Sequence, residues 1–408
     1  MAMHTMAAAL ALCLFAAAAT CAGAQPPPPP PPQANDISSC LLSNGVSNFS
    51  LPSSPSYTPL LDSSIRNLRF ELPGVGKPAA VILPASKRDL RRAVLCARGA
   101  SLAIRVPSGG HSYEGLSYTT ENRVPFAVTR APPRPGPSPA RRSASVGRTG
   151  PVELIAGLMH RWQYVGPSLP DEFYLSTYIP TRSSNGNLSM SFTGQVLGPK
   201  HLAMSVLNQT FPELGLAESE LSEVSWLESA VKFAGLSSVA DLTSRQIGVG
   251  EYAKRKSDYV QAPISMQGTI KILQHMSTGP QGAPRHLSLT ELGTCTASNA
   301  VSWNASDLDR AEEHIGWLRS FYGFMSRYVS ENPRGAYVNY LDLDLGTNDW
   351  GNATGGTSSK SVARAASWGE RYFFTNFDRL VRAKSKVDPE NVFNNAQSIP
   401  PLHYDREH

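Results

Sequence analysis

RVPSGGHSYEGLSYTT, Arg105–Thr120, is the stretch on which the reading of this chain turns. Two glycines precede His111, and Tyr113, Glu114 and Gly115 follow it. Glycine admits backbone conformations closed to other residues and lets a ligand approach main-chain N–H groups. Upstream, AVILP (Ala80–Pro84) reads as a buried strand, and Ser86 with Asp89 forms a capping-box pattern. Leu90, Ala93, Val94 and Ala97 then recur at helical spacing as far as Gly99. LAIRV (Leu102–Val106) is the next strand. Strand, helix, strand and glycine turn make an α/β unit, whose loop is a usual cofactor position.

Residue chemistry leaves several roles open for His111. A metal ligand needs partners at ligand spacing, and no His, Cys or Asp stands close by. A general base for Ser108 or Ser112 needs an orienting acid, and none is identifiable. A nucleophile toward a bound cofactor and a turn histidine satisfied by backbone both remain.

Composition bounds the rest. The chain has 408 residues, 41% hydrophobic and 17% charged, which is globular composition with room for a sizeable core. Ala7–Ala19 is an apolar run too short to span a bilayer, and Ala22-Gly23-Ala24 supplies a small-residue cleavage site. Residues 1–24 therefore read as a secretory signal, and 25–38, with its run Pro26–Pro32, as a stiff spacer. A secreted chain of the extracellular space or cell wall follows, with no membrane association after cleavage. Cys40, Cys96 and Cys295 remain after cleavage, an odd number in a compartment that favours disulfides. Asn48, Asn187, Asn208, Asn304 and Asn352 are glycosylation sequons. The net charge of +5 is local: Thr129–Gly150 holds five Arg and no acid. No nucleic-acid role is assigned to it.

Thr129–Gly150 also holds five Pro and no periodicity, and reads as a disordered insertion. Beyond it Leu188–Gly198 alternates like a strand, and so does Ala336–Gly346. Ser306 and Asp309 are expected to cap a helix that faces Ile315, Leu318 and Met325 one way. Trp368–Lys386, with Tyr372, Phe373, Phe377 and Leu380, reads as one amphipathic helix.

RVPSGGHSYEGLSY closely resembles the flavin-attachment segment of plant berberine bridge enzyme-like proteins, secreted flavoproteins of the vanillyl-alcohol oxidase superfamily. NLSMSFTGQVLGPK, TFPELGLAESE, KSDYVQAPIS, NPRGAYVNYLDLDLGTN and WGERYFFTNFDRLVRAKSKVDPENVFNNAQSIPPL resemble the same family, in the same order. The resemblance implies an α+β fold: a PCMH-type FAD-binding domain and a substrate domain whose antiparallel sheet is flanked by helices. It implies a disulfide between Cys40 and Cys96. His111 would carry FAD covalently through an imidazole nitrogen. Arg105, Ser108, Gly109, Gly110, Tyr113, Gly115, Leu116 and Ser117 would line the cofactor. Tyr340, on a sheet over the flavin, would be the base, and Tyr337 and Asn339 would shape the site. No metal is implied. A small alcohol, sugar or phenolic would pass hydride to flavin and electrons to molecular oxygen. A phenol acting as base needs its pKa lowered by positive charge or hydrogen bonds.

The chain departs from that pattern in three places. The family continues from its histidine loop into PTVG-x-GGH-x-x-GGG-x-G, which binds the cofactor's diphosphate, and nothing like it follows Val128. The domains thus read as a truncated FAD-binding part (39–128), the insertion (129–150), a substrate domain (151–345) and a segment returning to the FAD domain (346–402). Leu341 replaces the arginine usual after the Asn-Tyr pair, and Gly279–Asn299 lacks the family's block there. Both Thr129–Gly150 and Gly279–Asn299 read like translation in another reading frame or mis-joined exons. The alternative to an oxidoreductase is an inactive secreted glycoprotein, or a gene-model fragment without a working flavin site.

Overall fold

The computed structural model describes residues 34–106, 110–119, 125–128, 141–180, 187–243, 250–291, 295–350 and 358–402. The signal segment, the polyproline run, Ser108, Gly109, Thr129–Ala140 and Asn352 lie outside them. The chain has an α+β fold built on two sheets.

The first sheet holds β1 (Phe49–Ser50), β2 (Ala80–Ile82), β3 (Ala103–Arg105) and β4 (Pro125–Val128) in the order β1-β2-β4-β3. Only β1 runs antiparallel to its neighbour. The helix Lys87–Gly99 starts where expected, because Ser86 Oγ accepts the Asp89 N–H at 3.1 Å. Its Ala93 and Ala97 pack with Ile82, Ile104, Ile37 and Leu41. Cys40 and Cys96 form a disulfide with Cα atoms 5.8 Å apart. It closes a separation of 56 residues, worth about 4 kcal/mol in the chain-entropy picture.

The second sheet is antiparallel throughout. It comprises β5 (Arg141–Gly150), β6 (Phe173–Pro180), β7 (Leu188–Val196), β8 (Leu221–Val224), β9 (Tyr252–Val260), β10 (Arg285–Glu291) and β11 (Cys295–Trp303). Their order is β8-β5-β7-β6-β10-β11-β9. The alternation of β7 buries Leu188, Met190, Phe192 and Val196 on one face. There they meet Ile155, Met159 and Trp162 of the helix Val152–Val165, and Ile272 and Met276 of Met266–Ser277. Each such side chain contributes roughly 1.5–3 kcal/mol by leaving water. The other face carries hydroxyls: Ser189, Ser191 and Thr193 on β7, Ser176 and Tyr178 on β6, Ser288 and Thr290 on β10.

Four expectations are corrected. Arg141–Gly150 is not disordered: it is β5, paired with both β7 and β8. Its Arg148 is held by Glu220 and by the carbonyls of Leu214 and Gly215. Gly279–Asn299, although it lacks the family's block, supplies β10 and the start of β11, inside the sheet. Ser306 and Asp309 lie within a 3-10 turn, Ala305–Arg310, and the helix itself begins at Ala311. Trp368–Lys386 is two helices, Ser358–Phe373 and Phe377–Val387, broken where Phe374 takes a φ of 50°. Ala336–Gly346 is not a strand. It is a turn and a short 3-10 segment (Leu343–Leu345) laid along β9.

That last correction has a physical reason. β9 is an edge strand, and unpaired edge groups need partners. Side chains and loops supply them in place of a strand. Asn67 accepts from Ala253 N and donates to Ala253 O. Tyr337 N donates to Ser257 Oγ at 3.0 Å, and Ser330 N to Tyr259 O at 2.7 Å. Among the described residues, no helix is long and apolar enough to cross a membrane.

Candidate active site

The loop after β3 is wound on itself. Leu116 N donates to Ser112 Oγ, and Tyr118 N and Thr119 N donate to Gly115 O. Gly110 and Gly115 have φ of +73° and +65°. A Cβ on Gly110 would lie 2.0 Å from Tyr118 Oη, and one on Gly115 2.5 Å from the Phe70 ring. These two glycines therefore serve the loop's own closure: Tyr118 Oη sits 2.7 Å from Gly110 O and 2.5 Å from Ser64 O. Arg105 is buried as well. Its guanidinium donates to the carbonyls of Thr119, Ile104 and Asn394, and burial holds its pKa down to about 10. It ties the loop to the carboxyl-terminal segment. His111 is exposed, while Ser112, Tyr113, Leu116 and Ser117 are half-buried.

Tyr113 leads from this loop to the second sheet. Its ring lies 5.2 Å from that of Tyr340, and the Arg255 guanidinium stands over it at 4.6 Å. Tyr340 also meets Tyr337 edge to face at 5.1 Å, and Asn339 donates to the Tyr337 hydroxyl at 2.7 Å. Tyr340 lines a cavity of about 430 Å³ on the hydroxyl-bearing face of the sheet, with Tyr178, Glu251, Arg255, His286 and Ser298. Arg255 faces Ala300 across β9 and β11, and Ala300 faces His286 across β11 and β10, so all three share that face.

The phenol is not tuned down. Burial pushes Tyr340 up to about 12, Tyr113 adds to the rise, and Arg255 opposes it. Leu341 brings no charge, so Arg255, arriving from β9, is the cation that acts on Tyr340.

Sequence reading missed what holds the two loops together. Lys254 and Lys256 are buried on the opposite face of β9. Lys254 Nζ pairs with Glu114 from the histidine loop and with Asp342 Oδ1 at 2.8 Å. Lys256 Nζ reaches Asp342 Oδ2 and Asp344 Oδ2, both at 2.6 Å, and Arg319 chelates Asp344. Burial works against the Lys254 charge, but Glu114 and Asp342 hold its pKa above the ordinary value. The signal was present as Lys254, Lys256 and Asp258 at strand period, answered by Asp342 and Asp344. Among the described residues, no group of three or more His, Cys, Asp or Glu is placed to share a metal ion.

A flavin makes two demands. For its ring, the site offers an exposed imidazole, the aromatic faces of Tyr113 and Tyr340, and a guanidinium, a donor set that fits. For its diphosphate, the sequence after β4 supplies no glycine-rich turn of backbone N–H groups.

A family profile described as "Berberine and berberine like" matches residues 336–400. Berberine bridge enzyme-like C-1 of Nicotiana tabacum is 31% identical, over 90% of this chain and 93% of that protein. Its alignment runs to 521 positions against a chain of 408 residues, so the excess faces gaps. Reticuline oxidase of Eschscholzia californica is 30% identical over 90% of this chain and 92% of that protein. The solved structure of berberine bridge enzyme from Eschscholzia californica superposes with a TM-score of 0.82 at 28% identity, covering 91% of this chain and 100% of that one.

Proposed function

Since the chain belongs to the berberine bridge enzyme-like family, we propose that it is an FAD-linked oxidoreductase acting on a small alcohol, sugar or phenolic, with oxygen as acceptor. The observation that carries this reading is the meeting of the histidine loop with Tyr340 and Arg255 at a cavity of about 430 Å³. His111 would bond the flavin ring, with Tyr113, Leu116 and Ser117 beside it. When bound, the flavin supplies two-electron hydride acceptance. The chain's own part is to seat the substrate between sheet and loop and to handle its proton. With its pKa up at about 12, the Tyr340 phenol is protonated at rest and is able to donate a hydrogen bond to a substrate. To act as base it must first ionise, with Arg255 the charge that helps.

The missing diphosphate cradle and the gapped alignment support the second reading, a secreted glycoprotein that keeps the sheet without the flavin. On either reading we place the protein outside the cell. The four described sequon asparagines, Asn48, Asn187, Asn208 and Asn304, are exposed and open to glycosylation.

The visible spectrum of the purified mature chain decides between them, with mass analysis of the peptide containing His111. Flavin absorbance and a flavin-bearing peptide are expected. A colourless chain that unfolds cooperatively rejects the oxidoreductase. If the chain is active, Tyr340→Phe should abolish turnover and leave the flavin in place. The wild-type rate should rise about tenfold per pH unit between roughly pH 7 and 10, because the reactive phenolate is the minor form there.

A further inference from the structure

Arg255 holds donors that nothing among the described residues uses. Its Nη2 donates to Glu251 at 3.0 Å, and its Nη1 lies 3.4 Å from His286 Nε2. The guanidinium plane rests over Tyr113. A second N–H on each Nη and the buried Nε–H meet no acceptor among the described residues. Guanidinium N–H groups can only donate, and a buried donor left unpaired costs more than an ordinary lost bond.

The surroundings are of one kind. Because Arg255 can only donate, His286 Nε2 accepts, and the imidazole is neutral with its proton on Nδ1. Its ring stacks against Tyr178 at 4.6 Å. The cavity wall adds the hydroxyls of Tyr178, Tyr340 and Ser298. Among the described residues Glu251 is the one carboxylate on that wall, and it stands half exposed at 50%. Its field is weaker inside: at Tyr178 the pull of Arg255 outweighs the push of Glu251. At His286 burial comes first and Arg255 second, both driving the imidazole down to about 3. The interior is therefore rich in donors and short of acceptors.

We infer that Arg255, with the hydroxyls of Tyr178 and Ser298, forms an anchoring subsite for a carboxylate, so that the ligand of this cavity is a small organic acid. The carboxylate anchors and does not react. The inference rests on the reading of the cavity as the substrate site.

Calorimetric titration of the purified mature chain with p-coumarate and with p-coumaryl alcohol separates the two ideas, because the probes differ at the carboxylate and neither needs flavin. The acid should bind at least about tenfold more tightly, the worth of one charge-assisted hydrogen bond. Arg255→Gln should abolish that preference. Glu251→Gln, which removes the competing carboxylate at the lip, should strengthen acid binding. Equal affinity for acid and alcohol, or a preference that survives Arg255→Gln, overturns the carboxylate subsite while the cavity stands as a binding site. If neither probe binds, both readings fall. Circular dichroism checks folding, and should Arg255→Gln not fold, no tightening in Glu251→Gln overturns the inference.

Discussion

β9 shows two treatments of charge on one strand. On the face toward the helices, Lys254, Lys256 and Asp258 are buried, and each is met by partners from another segment. Lys254 joins the histidine loop to Asp342, and Arg334 chelates Asp258 at 2.6 and 2.9 Å. On the face toward the cavity, Arg255 is partly exposed, shares one acid with solvent and keeps N–H groups unmatched among the described residues. A saturated charge fixes where segments lie. An unsaturated one is ready for something that arrives. Cations at adjacent positions thus do opposite work, and the difference is the supply of partners.

The largest expected effect lies on the saturated face. Lys254→Met leaves Glu114 and Asp342 buried with a lost partner. Breaking a buried pair from one side costs about 3–5 kcal/mol. Urea unfolding followed by tryptophan fluorescence measures it. Adding Glu114→Gln should recover more than about 1 kcal/mol, since the stranded charge is gone. A loss below about 1 kcal/mol in the single variant means that water reaches the network and the face is not saturated.

His286 offers a smaller effect with a distinct pH signature. Its folded pKa is about 3, against about 6.5 in the unfolded chain. Below pH 6.5 or so the unfolded chain takes up a proton that the folded chain refuses, so stability falls as pH falls toward 3. The slope approaches 1.4 kcal/mol per pH unit, or up to about 2 kcal/mol by pH 5. His286→Gln removes this contribution. Its stability relative to the wild type should therefore improve on acidification from pH 8 to pH 5. A difference that stays constant with pH means that His286 protonates freely in the folded chain.

The legible parts of the fold were those with local causes. Ser86 capped its helix, β7 alternated, and the disulfide joined the expected cysteines. Arg141–Gly150 was hidden because its strand character comes from neighbours on both sides, not from apolar alternation. Ala336–Gly346 misled in the other direction: its alternation is real, but it serves the lysines of β9 and not a sheet. At the site, His111 and Tyr340 were nameable from the resemblance. Arg255 and His286 were not, since their meeting depends on the register of β9, β11 and β10. The glycines were read as room for a ligand, and the structure gives Gly110 and Gly115 to Tyr118 and Phe70.

The smallest effect is expected where the sequence looks equally charged. Arg255→Met removes a pair with half-exposed Glu251, worth about 0–1 kcal/mol. It also removes the guanidinium over Tyr113, worth roughly 0.5–1 kcal/mol. Against these stands relief of the unpaired buried Nε–H, a term of similar size and opposite sign. The net change in urea unfolding should be about 1 kcal/mol or less, several-fold below that of Lys254→Met. A loss comparable to that of Lys254→Met would place Arg255 among the charges that hold the fold, and the contrast between the two faces would fail. A small loss leaves Arg255 free for a ligand, because the fold then does not depend on it.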